Sequence, residues 1–103
     1  MKKQTSYTIT AHIWLYPGEN AVWHFLTIPK HISEDIKEST KPRPRRGWGS
    51  VRVTVTLGAS TWNTSIFPDK RSGTYILPLK ASVRRAEGVF DGDGVTFTIA
   101  LVE

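Results

Sequence analysis

Residues 65–103, SIFPDKRSGTYILPLKASVRRAEGVFDGDGVTFTIALVE, hold a strand end, a Pro-bounded loop, a strand, a basic helical turn, a Gly-Asp-Gly turn and a final alternating strand within 39 positions. Strands this short, separated by turn signals, predict a small antiparallel β-barrel. The rest of the chain supports that class. Val51, Val53, Val55 and Leu57 alternate with Ser50, Arg52, Thr54 and Thr56, and Val95, Phe97, Ile99 and Leu101 alternate with Thr96, Thr98, Ala100 and Val102. Strict alternation puts the apolar set of each strand on one face.

Residues 7–16 alternate in the same way, with Tyr7, Ile9, Ala11, Ile13 and Leu15 on one side. Pro17, Gly18, Glu19 and Asn20 read as a turn. Residues 21–28 return as a second strand ended by Pro29, which cannot donate to a ladder. With those turn residues as the loop, Tyr16 faces Ala21, Trp14 lies near Trp23 and His12 near Phe25. Both faces of this hairpin are then apolar or aromatic, so the second face needs a helix, a partner or a ligand over it. Ser33 predicts a helix cap, with a short helix through Glu38. Gly58 and Ala59 predict a tight connection into a strand over residues 60–67, and residues 74–79 predict another. Residues 81–86 fit a helical turn or two stopped by Gly88, and Gly92 fits a turn that needs positive φ. The expected architecture is an all-β, partly open, double-split antiparallel barrel with two short helical segments, formed as one domain over residues 1–103.

Several of these residues, taken in order, resemble a known family. They are Trp23 and Phe25 leading to Ile28-Pro29, Ser65-Ile66-Phe67-Pro68, Gly73-Thr74-Tyr75-Ile76-Leu77-Pro78, Lys80 with Val83-Arg84, and Gly92-Asp93 before the last strand. The pattern is similar to a bacterial and archaeal group of small β-barrels classed as a domain of unknown function, found alone or joined to helical domains of bacteriocin-protection type. The resemblance implies a double-split barrel, related in shape to those of transition-state regulators and antitoxins, and it implies matching basic residues at Lys80 and Arg84. It brings no activity with it. The run from Pro42 to Arg46 is more basic than the pattern leads one to expect.

No cysteine is present, which removes disulfides and thiolate metal sites. Met1-Lys2-Lys3 is followed by Gln4, Thr5, Ser6, Thr8, Thr10 and His12, which leave no apolar core for a signal peptide. No run approaches the ~20 apolar residues of a membrane span. A cytoplasmic protein without a membrane role is expected.

Catalysis makes the hardest demands, and the residues do not meet them. No Gly-x-Ser-x-Gly elbow occurs and no His follows Ser65. Asp91 and Asp93 are residues the turn itself would select. His12, His24 and His31 lack metal-ligand spacing, so neither a metal nor another cofactor is expected. A binding or interaction domain is the reading the residues favour, with the partner open between an anionic small ligand and a protein, a second copy included.

The net charge of +5 offers two surfaces for such a partner. On a helix starting near Lys80, Lys80 and Arg84 would share one face, with Val83 and Ala86 toward the barrel and the helix start favouring an anion. Ser65 and Tyr75 would add hydroxyls, and Trp23 an aromatic wall. The bland alternative is that both cations are solvated or that Arg84 pairs with Glu87 or Asp91. The second surface is the acid-free stretch holding Lys41, Arg43, Arg45, Arg46, Trp48 and Arg52, which would suit nucleic acid or serve only as a solvated loop.

Overall fold

The computed structural model describes residues 5–18, 22–40 and 49–102. Its elements run β1 (Ser6–His12), β2 (Trp14–Pro17), β3 (Val22–Thr27), α1 (Lys30–Thr40), β4 (Val51–Leu57), β5 (Ser60–Asp69), β6 (Thr74–Pro78), α2 (Ala81–Glu87) and β7 (Gly94–Leu101). The strands pair antiparallel in one sheet of order β1-β7-β4-β5-β6-β3-β2. The two edge strands are consecutive in the chain, joined through Ile13. The sheet therefore curls back on itself, giving the mostly-β, partly open barrel with two short helices that the alternation predicts.

Residues 7–16 do not form the single strand expected of them. Their alternation carries on unbroken, but the partner changes from β7 to β3 at Ile13. At that point the turn before β7 takes over the ladder: Ile13 N–H donates to the Asp93 carbonyl at 2.9 Å, and Gly92 N–H donates to the Ile13 carbonyl at 2.7 Å. Gly92 has φ +87°, a conformation that favours glycine. The β2–β3 hairpin also differs from expectation. Pro17 pairs with Val22, Tyr16 with Trp23 and Trp14 with Phe25, a slide of two residues. A two-residue slide leaves each side chain on its expected face, and it brings the Trp14 and Phe25 rings to 5.1 Å between centroids.

The inner face carries the core. Val53, Val55, Ile66, Leu77, Ile99 and Phe97 are buried there, with Tyr7, Ile9 and Ile13 from the crossing segment. Ile36 of α1 and Val83 of α2 close the open sides. Each such side chain contributes ~1.5–3 kcal/mol of burial.

α1 begins at Lys30, just after Pro29, three residues before the predicted cap. Ser33 is thus inside the helix and buried. Its hydroxyl donates to the Ile28 carbonyl and accepts from Tyr75 N–H, both at 3.0 Å. In a regular β3–β6 ladder those two backbone groups would bond to each other, since Ile28 N–H already donates to the Tyr75 carbonyl at 2.9 Å. The serine wedges the ladder apart and keeps both groups satisfied.

α1 is also tied to β1, where the Tyr7 hydroxyl donates to Asp35 Oδ2 at 2.5 Å. Burial first, then the hydrogen bond and negative charge of Asp35, push the Tyr7 pKa up to about 12. An unfolded chain ionises its tyrosines near pH ~10. The raised value therefore adds stability that is complete below pH ~10 and disappears as pH climbs through 12. We expect the unfolding free energy of the native protein to drop further between about pH 10 and 12 than that of Tyr7→Phe. Parallel pH profiles for the two proteins in denaturant titrations would remove the effect.

Candidate ligand-binding site

β6 meets β3 only over Phe25–Thr27 and meets β5 only over Phe67–Asp69. Beyond Pro78 it leaves the sheet, so a split opens between the first halves of β3 and β5. Leu79 borders this split and holds on to β3 in the same register, its N–H donating to the His24 carbonyl at 2.8 Å. Lys80 follows in extended conformation, and α2 then packs beside β5.

Local sequence explains why α2 is short and firmly placed. Gly88 adopts φ 65° and ends the helix, as its position predicts. Val83 is buried beneath it. Ala86 is exposed, contrary to expectation, so Val83 is the α2 residue that faces the barrel. Glu87 makes the second attachment: its Oε2 accepts from the Ser60 hydroxyl at 2.6 Å, and its Oε1 accepts from Ala59 N–H at 3.4 Å. Gly58 at this hairpin has φ +59°, and a Cβ there would lie 1.9 Å from Glu87 Oε1.

Between the split strands and α2 lies a cleft of about 330 Å³, lined by Trp23, His24, Trp62, Leu79, Lys80 and Arg84 among others. Lys80 is exposed. Arg84 is half-buried, with Nε donating to the Leu79 carbonyl at 3.2 Å. Among the described residues the ion pair is Arg71 with Asp69, at 3.7 Å, so neither Lys80 nor Arg84 meets a carboxylate. Glu87, one candidate partner for Arg84, is spent on the hairpin. Val83 and Arg84 N–H both donate to the Lys80 carbonyl, at 3.2 and 3.1 Å, as the opening bonds of α2. His24 Nδ1 is buried in the wall with no hydrogen-bond partner among the described residues.

Of the predicted set, Lys80, Arg84 and Trp23 come together in this cleft. Tyr75 does not join them: it is buried beside α1, where it borders a different depression with Ser33 and Lys37. Ser65 sits opposite Arg52 on the β4–β5 ladder, on the outer side of the sheet. His24, weighed from the sequence only as a metal ligand, and Trp62 are wall residues outside the predicted set. Pro78 carried the relevant signal, since it marks where β6 must stop. The second predicted surface, Lys41, Arg43, Arg45, Arg46 and Trp48, lies outside the described residues; Arg52 is exposed on β4.

Among the described residues no helix is long and apolar enough to cross a membrane. Among these residues, too, no group of three or more His, Asp or Glu is arranged to hold a metal ion. The fold and cleft define a small, curled, mostly-β domain with its barrel split open beside a short basic helix. The chain belongs to the family described as Domain of unknown function (DUF1905), whose model matches residues 10–99. No curated protein matches the chain.

Proposed function

We propose that this chain is a non-enzymatic binding domain that holds an anionic small ligand in the cleft between β3, β5 and α2. The observation that carries this reading is one cleft wall supplying two cations, Lys80 and Arg84, that have no carboxylate partner among the described residues, next to two indole rings, Trp23 and Trp62. The chemistry fits an anion joined to a flat apolar body. The guanidinium and ammonium groups donate to the anion, the indoles cover the body, and a ligand acceptor or donor would satisfy His24 Nδ1. Pockets of this kind, largely apolar with a few converging polar groups, are the usual form of small-ligand sites.

Arg84→Ala is expected to weaken binding of phosphate, sulfate or adenosine monophosphate by ~1.5–3 kcal/mol, the range for a hydrogen bond to a charged group. Its melting temperature should stay close to the parent's, because Arg84 is only half-buried and its one hydrogen bond is to a backbone carbonyl. Calorimetric titration of both proteins is the check. Equal affinities would dismiss Arg84 as a ligand-holding residue.

A further inference from the structure

The two halves of the curled sheet present opposite chemistry to solvent. On β1, β7, β4 and β5 the outer face is paved with threonines, in cross-strand pairs such as Thr8 with Thr98, Thr10 with Thr96 and Thr56 with Thr61. That paving satisfies strand propensity and remains hydrated. On β2, β3, β6 and β5 the outer face instead carries Tyr16, Trp23, Phe25, Phe67, Ile76 and Pro78, which form a shallow trough of about 620 Å³. Trp23 is 55% exposed, Tyr16 43% and Phe67 37%. A contiguous aromatic face left in water on a sheet whose other half is polar marks an interaction surface.

Charge decides its occupant. The Arg71 guanidinium stands 4.9 Å over the Tyr16 ring at one end of the trough, with a side chain 66% exposed. Lys70 is exposed beside it, and Lys80 lies beyond Trp23 at the other end. Asp69 also borders the trough, but its carboxylate is engaged by the Ser72 hydroxyl at 2.9 Å and by Arg71 at 3.7 Å. A second copy docked about a two-fold axis would set this cationic patch against itself. An anionic partner with flat, stackable faces meets both the rings and the cations.

We infer that the outer face of β2, β3, β6 and β5 binds single-stranded nucleic acid, with bases stacked on Tyr16, Trp23 and Phe67 and phosphates directed to Arg71 and Lys80. Tyr16 and Trp23 are directly paired across β2 and β3. Phe67 lies two strands further along and level with Thr27, four residues from Trp23 along the strand direction, so it stands roughly 16 Å from Trp23 at ordinary strand spacing and rise. Stacking of this kind tolerates any base, because every base has a π-face, and cationic flanks supply the attraction to the backbone. A duplex buries its base faces and would not fit. The inference goes beyond the cleft reading; it shares Trp23 and Lys80 with it as proposed contacts, and Thr64 and Pro78 border both hollows.

The test is fluorescence anisotropy of a labelled oligothymidylate with the parent protein, a Tyr16→Ala/Phe67→Ala double variant and an Arg43→Ser/Arg45→Ser/Arg46→Ser variant. The single strand is expected to bind the parent, quench tryptophan emission and weaken steeply with salt. The double variant should lose roughly tenfold or more in affinity, the serine variant should keep its binding to the trough, and a matched duplex should bind more weakly than the single strand. Absence of binding at low salt, equal affinity of the double variant, or preference for the duplex overturns the inference. Loss of binding in the serine variant alone assigns the contact to the other basic segment and overturns it too. Parent protein that sediments as a dimer, dissociated by the double variant, assigns the face to a second copy. Phosphate titration of the double variant reads the cleft separately, so either proposal can fail while the other stands.

Discussion

A Val53→Asp chain is expected not to fold. Val53 is fully buried at the middle of β4, paired with Thr64 on one side and Leu101 on the other. Val51, Val55, Ile99 and Leu101 share its inner face and are buried with it. A carboxylate there loses its hydration, and an effective cost of several kcal/mol remains even after local relaxation. Protonation lowers that cost but leaves a polar group among apolar ones. The burial of the valine, ~1.5–3 kcal/mol, is lost as well. Against a total stability of ~5–15 kcal/mol for an ordinary domain, the sum is ruinous. Thr56→Asp, three residues along the same strand on the outer face, should by contrast stay folded. Circular dichroism and the soluble fraction of the two variants make the comparison. Soluble, cooperatively unfolding Val53→Asp protein would mean that β4 is not central to the core.

Ser33→Ala is the second large expected effect, about 2–4 kcal/mol of destabilisation. The change removes one oxygen and so strips the partner from two backbone groups at once, the Ile28 carbonyl and the Tyr75 N–H. Each buried group left without a partner costs ~1–3 kcal/mol. The two cannot simply re-pair, because α1 holds them apart: Ile36 is buried beneath the helix, and Ser33 N–H donates to the Pro29 carbonyl at 2.8 Å. Denaturant unfolding of the parent and the variant reads the difference. A change below ~0.5 kcal/mol, the scale of a neutral surface substitution, would show that the ladder closes without the serine.

These two residues mark what the sequence could and could not disclose. Val53 was legible because β4 and β7 pack one face and solvate the other, so their alternation carries the fold directly. Ser33 was not. Its local setting, Ser-Glu-Asp, has the composition of a helix start, and only the distant Tyr75 reveals that it bridges a ladder. The break at Ile13 was hidden for a related reason. A strand that changes partners keeps its alternation, and the exchange depends on Asp93 and Gly92, some eighty residues away. The hairpin register slid because Pro17, read as a turn residue, is tolerated at the end of an edge strand.

The candidate site was legible to the same degree. Lys80 and Arg84 could be grouped from α2 alone, and Gly88 set its end. Ser65 and Tyr75 were grouped with them by proximity along neighbouring strands. Strand neighbours share a site only when they share a face, and Ser65 lies on the outer side while Tyr75 is buried beside α1. His24 and Trp62 became visible only once β6 was seen to leave the sheet at Pro78.

The central claim is that an anion sits between Lys80 and Arg84. An amide chemical-shift titration of isotope-labelled protein with phosphate, sulfate and adenosine monophosphate tests it most directly. Saturable shifts at the amides of residues 80–84, accompanied by the Trp23 and Trp62 indole signals when the nucleotide is used, are the expected result. If no amide from 80 to 84 moves at millimolar anion, the cleft does not bind anions and the proposed function is wrong.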